Sequence, residues 1–109
     1  MDEISIEIID VKGEDWRTVL RQMAEYLLEK GYVKESYIDA LIKREENYPT
    51  GIKIPFGVNV AIPHAEVEHV LKQALIIGVP EKPVVFHNIE QPEDTVDVDL
   101  ILLLVINNP

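Results

Sequence analysis

The stretch Asn-Val-Ala-Ile-Pro-His-Ala, residues 59–65, decides the fold and the chemistry that we expect of this chain. Its apolar residues predict a strand that ends at Pro63, because proline has no N–H to continue a ladder of hydrogen bonds. His64 then projects from the end of that strand, where ligands bind in α/β proteins. Imidazole titrates near neutral pH and can serve as a nucleophile or a proton carrier. His64 is therefore the first candidate for chemistry.

The segments that follow this stretch predict an α/β fold with a mixed sheet. Residues 74–79 form a short apolar run, and residues 100–106 are unbroken aliphatics that we expect in a central strand buried on both faces. Together with residues 58–62, the segments 74–79 and 98–106 predict the sheet of a layered α/β sandwich. Such a strand needs a covering layer on each face, so the chain either pairs with another copy or is a fragment of a larger domain.

Two helices are predicted before this stretch. Asp15 is a plausible N-cap, the apolar residues of 16–27 recur at helical spacing, and Gly31 provides a C-terminal stop. A second helix is expected from about residue 34 and closes with the charged residues 43–46.

The remaining segments give weaker patterns. Residues 4–11 predict a short strand or an extended arm, and residues 66–72 predict one or two helical turns. Residues 47–57, which hold two prolines and two glycines, predict a loop long enough to be functional. Residues 84–86 are a further candidate strand, and the acidic, turn-rich residues 88–99 predict a solvated loop.

Composition limits the possible classes of function. The 109 residues are enough for one domain, residues 1–109, and they include no cysteine, which excludes disulfides and thiolate chemistry. The net charge of −10 would repel nucleic acid and anionic lipid, so neither is an expected partner. The first residues do not resemble a secretory signal, and the longest apolar run is far shorter than the about 20 residues that cross a bilayer. We therefore expect a soluble, cytoplasmic protein with no insertion into the membrane.

The three histidines leave a metal-dependent hydrolase as an alternative. His64 and His69 are five residues apart, which is not the spacing that puts two ligands on one helical face, and His87 is distant in sequence. Signatures of nucleotide-binding loops and serine hydrolases are absent from the sequence. We predict no cofactor and no metal site, and the remaining hypothesis is a histidine nucleophile beside an anion-tolerant pocket.

A longer pattern around His64 resembles a known family. Arg44-Glu45, the Pro49-Thr50-Gly51 turn and residues 56–65 are similar to the phosphorylation-site segment of enzyme IIA domains of the bacterial phosphotransferase system. The similarity is to the mannitol/fructose class, and within it to the galactitol-like branch. The order of the predicted elements matches that family along nearly the whole chain.

The resemblance implies a role for three residues. His64 would accept a phosphoryl group from the phosphocarrier protein HPr and pass it to a cysteine of a sugar-specific enzyme IIB. Arg44 matches the family's active-site arginine, and its planar fork suits phosphate oxygens. Thr50 matches the motif's threonine and would bond the phosphate or orient the imidazole. Without the resemblance, Arg44 could act only on the helix dipole and Thr50 could be only a turn residue.

The resemblance also implies what this sequence lacks. The family's second active-site histidine and its C-terminal helices follow the segment equivalent to residues 100–108, and this sequence ends at Pro109. We therefore expect a three-layer type of sandwich from which the C-terminal helices are missing. A regulatory module of the same fold, in which phosphorylation of His64 signals to a protein partner, is the alternative function. The sugar and the oligomeric state stay open.

Overall fold

The computed structural model describes residues 4–107, which form an α/β fold with a mixed sheet. In chain order the elements are β1 (Ser5–Val11), α1 (Trp16–Glu29), α2 (Tyr37–Asn47), β2 (Gly51–Ile52), β3 (Val60–Ala61), a 3-10 turn (Val67–His69), β4 (Ala74–Pro80), β5 (Val84–His87), β6 (Thr95–Val98) and β7 (Leu100–Val105). The main sheet has the strand order β1-β4-β7-β3-β2, and β5 pairs with β6 in a separate two-stranded sheet. The predicted fold class is confirmed.

Both predicted helices form. The Asp15 side chain caps α1 by accepting a hydrogen bond from the Thr18 N–H at 2.8 Å, and Gly31, at φ 78°, adopts the left-handed conformation that follows the helix. The apolar face of α1 packs against β1 and β5, and α2 packs against α1. The helices therefore cover one face of the main sheet, as the spacing of their apolar residues predicts.

The main sheet combines parallel and antiparallel pairs. β1 runs parallel to β4 and β3 runs parallel to β7, whereas β4 and β7 are antiparallel to each other. Residues 4–11, predicted as a strand or an arm, contribute β1 at one edge of the sheet, and β2 lies at the other. The strand predicted over 58–62 is confirmed but is reduced to the two residues of β3.

Within residues 4–107 β7 is buried on one face and only partly covered on the other, as expected for a three-layer type of sandwich without its C-terminal helices. Ile101, Leu103 and Val105 are fully buried beneath the helices, but the alternate residues of β7 are only partly covered. The open face continues across β4 to β1, where Ile6 and Ile8 are 66% and 70% exposed. Of the three expected layers, residues 4–107 supply the sheet and one layer of helices.

Two segments predicted as loops contain strands. Residues 47–57 include β2, which pairs with β3, so the path from α2 to the site is partly fixed by the sheet. Residues 88–99 include β6, whose Val96 and Val98 are buried while the intervening Asp97 is exposed. We predicted a loop from the acidic composition of that segment and overlooked that buried and exposed residues alternate along it, as they do in a strand. The predicted strand over 98–106 is therefore divided between β6 and β7 at Asp99.

The helical turn predicted within residues 66–72 is confirmed as the 3-10 turn Val67–His69. Among the described residues, neither helix is long and apolar enough to cross a membrane.

Candidate active site

His64 lies just beyond β3, where the chain is still held against the central strand. The Leu104 N–H donates to the Pro63 carbonyl at 3.1 Å, and His64 forms an isolated parallel bridge with Leu104. The side chain of His64 is half-buried. The predicted projection of the histidine from a strand end is therefore what the backbone provides.

One hydrogen bond determines which nitrogen of His64 is free. Nδ1 lies 3.1 Å from the carbonyl oxygen of Ile62. A carbonyl oxygen can only accept, so we assign the ring proton to Nδ1 on chemical grounds. In the neutral ring Nε2 then carries an unshared lone pair. His64 can therefore act as a nucleophile through Nε2 without first losing a proton.

Thr50 is buried beneath this segment and does not present a free hydroxyl. Its Oγ1 donates to Oε1 of Glu45 at 2.8 Å and accepts from the Ile62 N–H at 3.2 Å. The Ile62 N–H also lies 3.3 Å from the Thr50 carbonyl oxygen. Thr50 is therefore joined to the backbone two residues before His64, and its hydroxyl proton is already bound by Glu45.

Glu45 is a site residue that sequence reasoning missed, because it was grouped with the charged residues that close α2. It is only 3% exposed, and its carboxylate accepts from the Thr50 N–H at 2.7 Å as well as from the Thr50 hydroxyl. Burial raises the pKa of this carboxyl, although the bonds from Thr50 and the nearby His87 partly oppose the shift. Spacing was the available signal, since Glu45 follows Tyr37 and Leu41 at intervals of four on the buried face.

Arg44 lines a cleft beside the segment that follows His64. The cleft has a volume of about 320 Å³, and its lining includes Lys43, Arg44, Glu66 and His69. The guanidinium carbon of Arg44 lies 4.6 Å from the centre of the Tyr48 ring. The Nε of Arg44 is buried and has no hydrogen-bond partner among residues 4–107. Because that Nε is shielded from the cleft, only the terminal nitrogens of the guanidinium could reach an anion there, beside Lys43 and opposite the Glu66 carboxylate.

Thr50 and Arg44 are related to His64 through different neighbours in the chain. Thr50 connects to Ile62, two residues before the histidine, and Arg44 shares a cleft with Glu66, two residues after it. Within residues 4–107, neither Arg44 nor Thr50 is hydrogen-bonded to the imidazole itself.

The other two histidines are engaged separately. Nδ1 of His69 lies 2.7 Å from the Ser36 hydroxyl, and Nδ1 of His87 lies 2.8 Å from the Pro92 carbonyl oxygen. Residues 4–107 contain no group of three or more metal-binding side chains. The metal-dependent hydrolase that the histidines left open gains no support from this arrangement.

Known proteins are similar to this chain in sequence. Residues 1–109 match the family described as phosphoenolpyruvate-dependent sugar phosphotransferase system, EIIA 2. The chain is 35% identical over 95 residues to the galactitol-specific EIIA component of Escherichia coli strain K12. That similarity covers 87% of this chain and 62% of the relative, so the chain spans less than two thirds of the relative's length.

Solved structures share the fold. The crystal structure of IIA mannitol from Escherichia coli has a TM-score of 0.69 at 26% identity, and the similarity covers 94% of this chain and 69% of that one. The IIA–IIB complex from Escherichia coli, in which enzyme IIAMTL meets phosphorylated enzyme IIBMTL, gives a TM-score of 0.70 at 25% identity, over 94% and 68%. The predicted resemblance to the mannitol and galactitol types is confirmed. Because the family match extends over the whole sequence, the chain belongs to the EIIA 2 family of the phosphoenolpyruvate-dependent sugar phosphotransferase system.

Proposed function

We propose that residues 1–109 act as a cytoplasmic phosphoryl carrier in sugar uptake. In this proposal His64 accepts a phosphoryl group from phosphorylated HPr and passes it to a cysteine of a sugar-specific enzyme IIB. The observation that carries the proposal is the hydrogen bond between His64 Nδ1 and the Ile62 carbonyl, which leaves Nε2 unprotonated at the end of a strand. Membership of the EIIA 2 family supports a phosphotransferase system role in general.

In the first step the Nε2 lone pair attacks phosphorus in line with the bond to the donor. A bond forms between Nε2 and phosphorus as the donor's bond to phosphorus breaks, and the donor keeps that electron pair. Such transfers proceed through a loose transition state, so the protein mainly has to position the groups and balance the charge on the phosphoryl oxygens.

The second step depends on the proton at Nδ1. Because His64 keeps that proton, the phosphorylated ring is cationic, and the Ile62 carbonyl stabilises it by accepting the hydrogen bond. When the thiolate of enzyme IIB attacks phosphorus, the bond to Nε2 breaks and neutral imidazole leaves. The same hydrogen bond therefore favours both acceptance and release of the phosphoryl group.

Arg44 and Thr50 have different proposed roles. Arg44 would neutralise the phosphoryl oxygens, and its place beside Lys43 in the lining of the cleft supports that role in a chain whose net charge is −10. Thr50 would orient the imidazole through the backbone of Ile62, because its own proton is bound by Glu45.

Incubation with phosphorylated HPr tests this function. The wild-type chain should acquire acid-labile, base-stable phosphate, and the His64→Ala variant should acquire none. The His87→Ala variant is the matched control, because that imidazole is exposed and bonded to a different loop, and it should be labelled as the wild type is. Equal labelling of the wild type and of His64→Ala would contradict the proposal.

Adding enzyme IIB separates transport from signalling. Rapid loss of the label from His64 to an enzyme IIB thiol supports the transport role. If the label forms on His64 and no enzyme IIB from the same organism removes it, the regulatory alternative is favoured.

A further inference from the structure

We propose that Glu45 is a positioning residue for His64: its buried carboxylate, acting through Thr50 and Ile62, holds the imidazole in the form that leaves Nε2 free. The effect on phosphoryl transfer rests on the proposed function, whereas the effect on the imidazole itself does not. The sequence analysis gave Glu45 no role of its own, although the residue stands beside Arg44 in the segment that resembles the phosphorylation site.

The location of Glu45 is costly for a carboxylate. It is 3% exposed and lies on the face of α2 that also buries Tyr37 and Leu41. Within residues 4–107 the Glu45 carboxylate forms no ion pair. The ion pair at this end of α2 instead joins the next residue, Glu46, to Arg17 of α1. An apolar residue would pack at this position without the cost of desolvation. The carboxylate is therefore best explained by what it binds.

Glu45 determines the direction of the Thr50 hydroxyl. One carboxylate oxygen accepts the Thr50 N–H and the other accepts the Thr50 hydroxyl proton. An ionised carboxylate can only accept, so the hydroxyl must donate to it and keep its lone pairs for another donor. That other donor is the Ile62 N–H, at 3.2 Å.

The fixed Ile62 N–H in turn limits where the Ile62 carbonyl points. Ile62 precedes Pro63, and the proline ring restricts the residue before it to extended conformations. The Pro63 carbonyl is itself bonded to the Leu104 N–H, so the chain is held on both sides of the carbonyl that accepts from His64 Nδ1. Glu45 thus acts on the imidazole through hydrogen bonds and a restrained backbone, without touching it.

The Glu45→Gln variant tests this inference. An amide has one acceptor oxygen, so one of the two Thr50 donors would face an NH₂ group and lose its partner. We expect the His64 ring to move from a single Nδ1–H form to a mixture with Nε2–H. Two-dimensional ¹H–¹⁵N spectra of the histidine ring at about pH 8.5, above the range in which imidazole ordinarily titrates, measure that mixture directly.

Phosphoryl transfer provides the second readout. If the wild-type chain accepts phosphate from HPr, Glu45→Gln should accept it about tenfold more slowly or worse, since small misplacements of reacting groups are costly. Glu46→Gln is the matched control on the neighbouring residue, which is exposed and paired with Arg17, and it should change neither the ring form nor the rate. Thr50→Val should reproduce the Glu45→Gln effects, and Thr50→Ser should restore the wild-type ring form.

The outcomes are distinguishable. If Glu45→Gln and Thr50→Val melt at lower temperature while the folded variants keep the wild-type ring form and rate, Glu45 is only structural and the inference is overturned. If Glu45→Gln does not fold, the comparison of Thr50→Val with Thr50→Ser decides between the same two results. If the wild-type chain accepts no phosphate, the proposed function fails, and the ring form in the variants still tests the positioning role.

Discussion

Replacing Gly51 with alanine tests how firmly the site segment is attached to the rest of the fold. A Cβ at this position would lie 2.6 Å from the His87 carbonyl oxygen and 3.1 Å from the Phe86 Cβ. Both neighbours belong to β5, so β2 and β5 would have to separate by roughly half an ångström. The Ile89 N–H donates to the Gly51 carbonyl at 2.8 Å, and that bond would weaken as the strands separate.

The expected loss of stability follows from these two contacts. Overpacking against backbone costs about 1–3 kcal/mol, and a weakened hydrogen bond adds about 0.5–1.5 kcal/mol. We therefore expect the free energy of unfolding to fall by about 1.5–4.5 kcal/mol. Because Gly51 follows Thr50 directly, the rate of phosphate acceptance should fall as well.

Urea denaturation followed by fluorescence measures the change. Trp16 is the one tryptophan of the chain and is 8% exposed, so its emission reports unfolding of the core. With a slope of about 1 kcal/mol per molar urea, the midpoint for Gly51→Ala should fall by at least about 1.5 M.

Gly57→Ala is the matched control for this experiment. The nearest atom to a Cβ at Gly57 is 3.5 Å away, and its φ is not in the left-handed region, so alanine should leave stability unchanged or raise it by up to about 1 kcal/mol. Wild-type stability in Gly51→Ala, or equal losses in both variants, would refute the reasoning.

Three further predictions concern α1, the core and the cleft. At pH 7 Asp15→Ala should lower the free energy of unfolding by about 1 kcal/mol, because the carboxylate caps α1. The hydrogen bonds from Thr18 hold the pKa of Asp15 below its ordinary 3.8, so this stabilisation is complete above that value and is lost as the pH falls through the lowered pKa. The difference in free energy of unfolding between wild type and Asp15→Ala should therefore be smaller at pH 3 than at pH 7, as denaturation at both pH values would measure. An equal difference at the two pH values would contradict the capping role. Tyr37→Phe should raise the free energy of unfolding by about 1 kcal/mol, because the buried Tyr37 hydroxyl has no hydrogen-bond partner among residues 4–107 and its removal avoids a desolvation cost. Loss of stability in this variant would show that the hydroxyl is satisfied. Arg44→Lys keeps the positive charge at the end of α2 but loses the planar guanidinium. It should therefore slow phosphate acceptance about tenfold and leave the melting temperature unchanged. A fall in melting temperature together with the rate would favour a packing role for Arg44 against Tyr48.

Much of the fold could be predicted because its determinants are local. The apolar residues of α1 recur at helical spacing between an N-cap and a glycine, and the aliphatic run of β7 has few alternatives to a sheet. β6 was missed because its acidic neighbours suggested a loop, although its two valines alternate with Asp97 as a strand requires. The partly covered face of β7 was predictable as well, because two helices supply a covering layer for only one face of an aliphatic strand.

The site was only partly predictable for a similar reason. His64 was predicted because a strand, a proline and an imidazole are adjacent in the sequence. For Thr50 the sequence left two roles open, a bond to the phosphate or orientation of the imidazole, and it did not reveal that its hydroxyl is bonded to Glu45 and to Ile62, the latter 12 residues along the chain. Contacts of that kind depend on the tertiary path of the loop between α2 and β3, which composition does not specify. Glu45 could have been found from its spacing of four with Leu41.

The most direct test of the central claim is to locate the phosphoryl group on the folded chain. The chain, with ¹⁵N-labelled histidine, is phosphorylated by HPr and studied by ³¹P and ¹H–¹⁵N NMR. We predict a single phosphohistidine in which phosphorus is bonded to Nε2 of His64 and Nδ1 keeps its proton. A phosphoryl group on Nδ1 of His64, on His69 or on His87 would contradict the account.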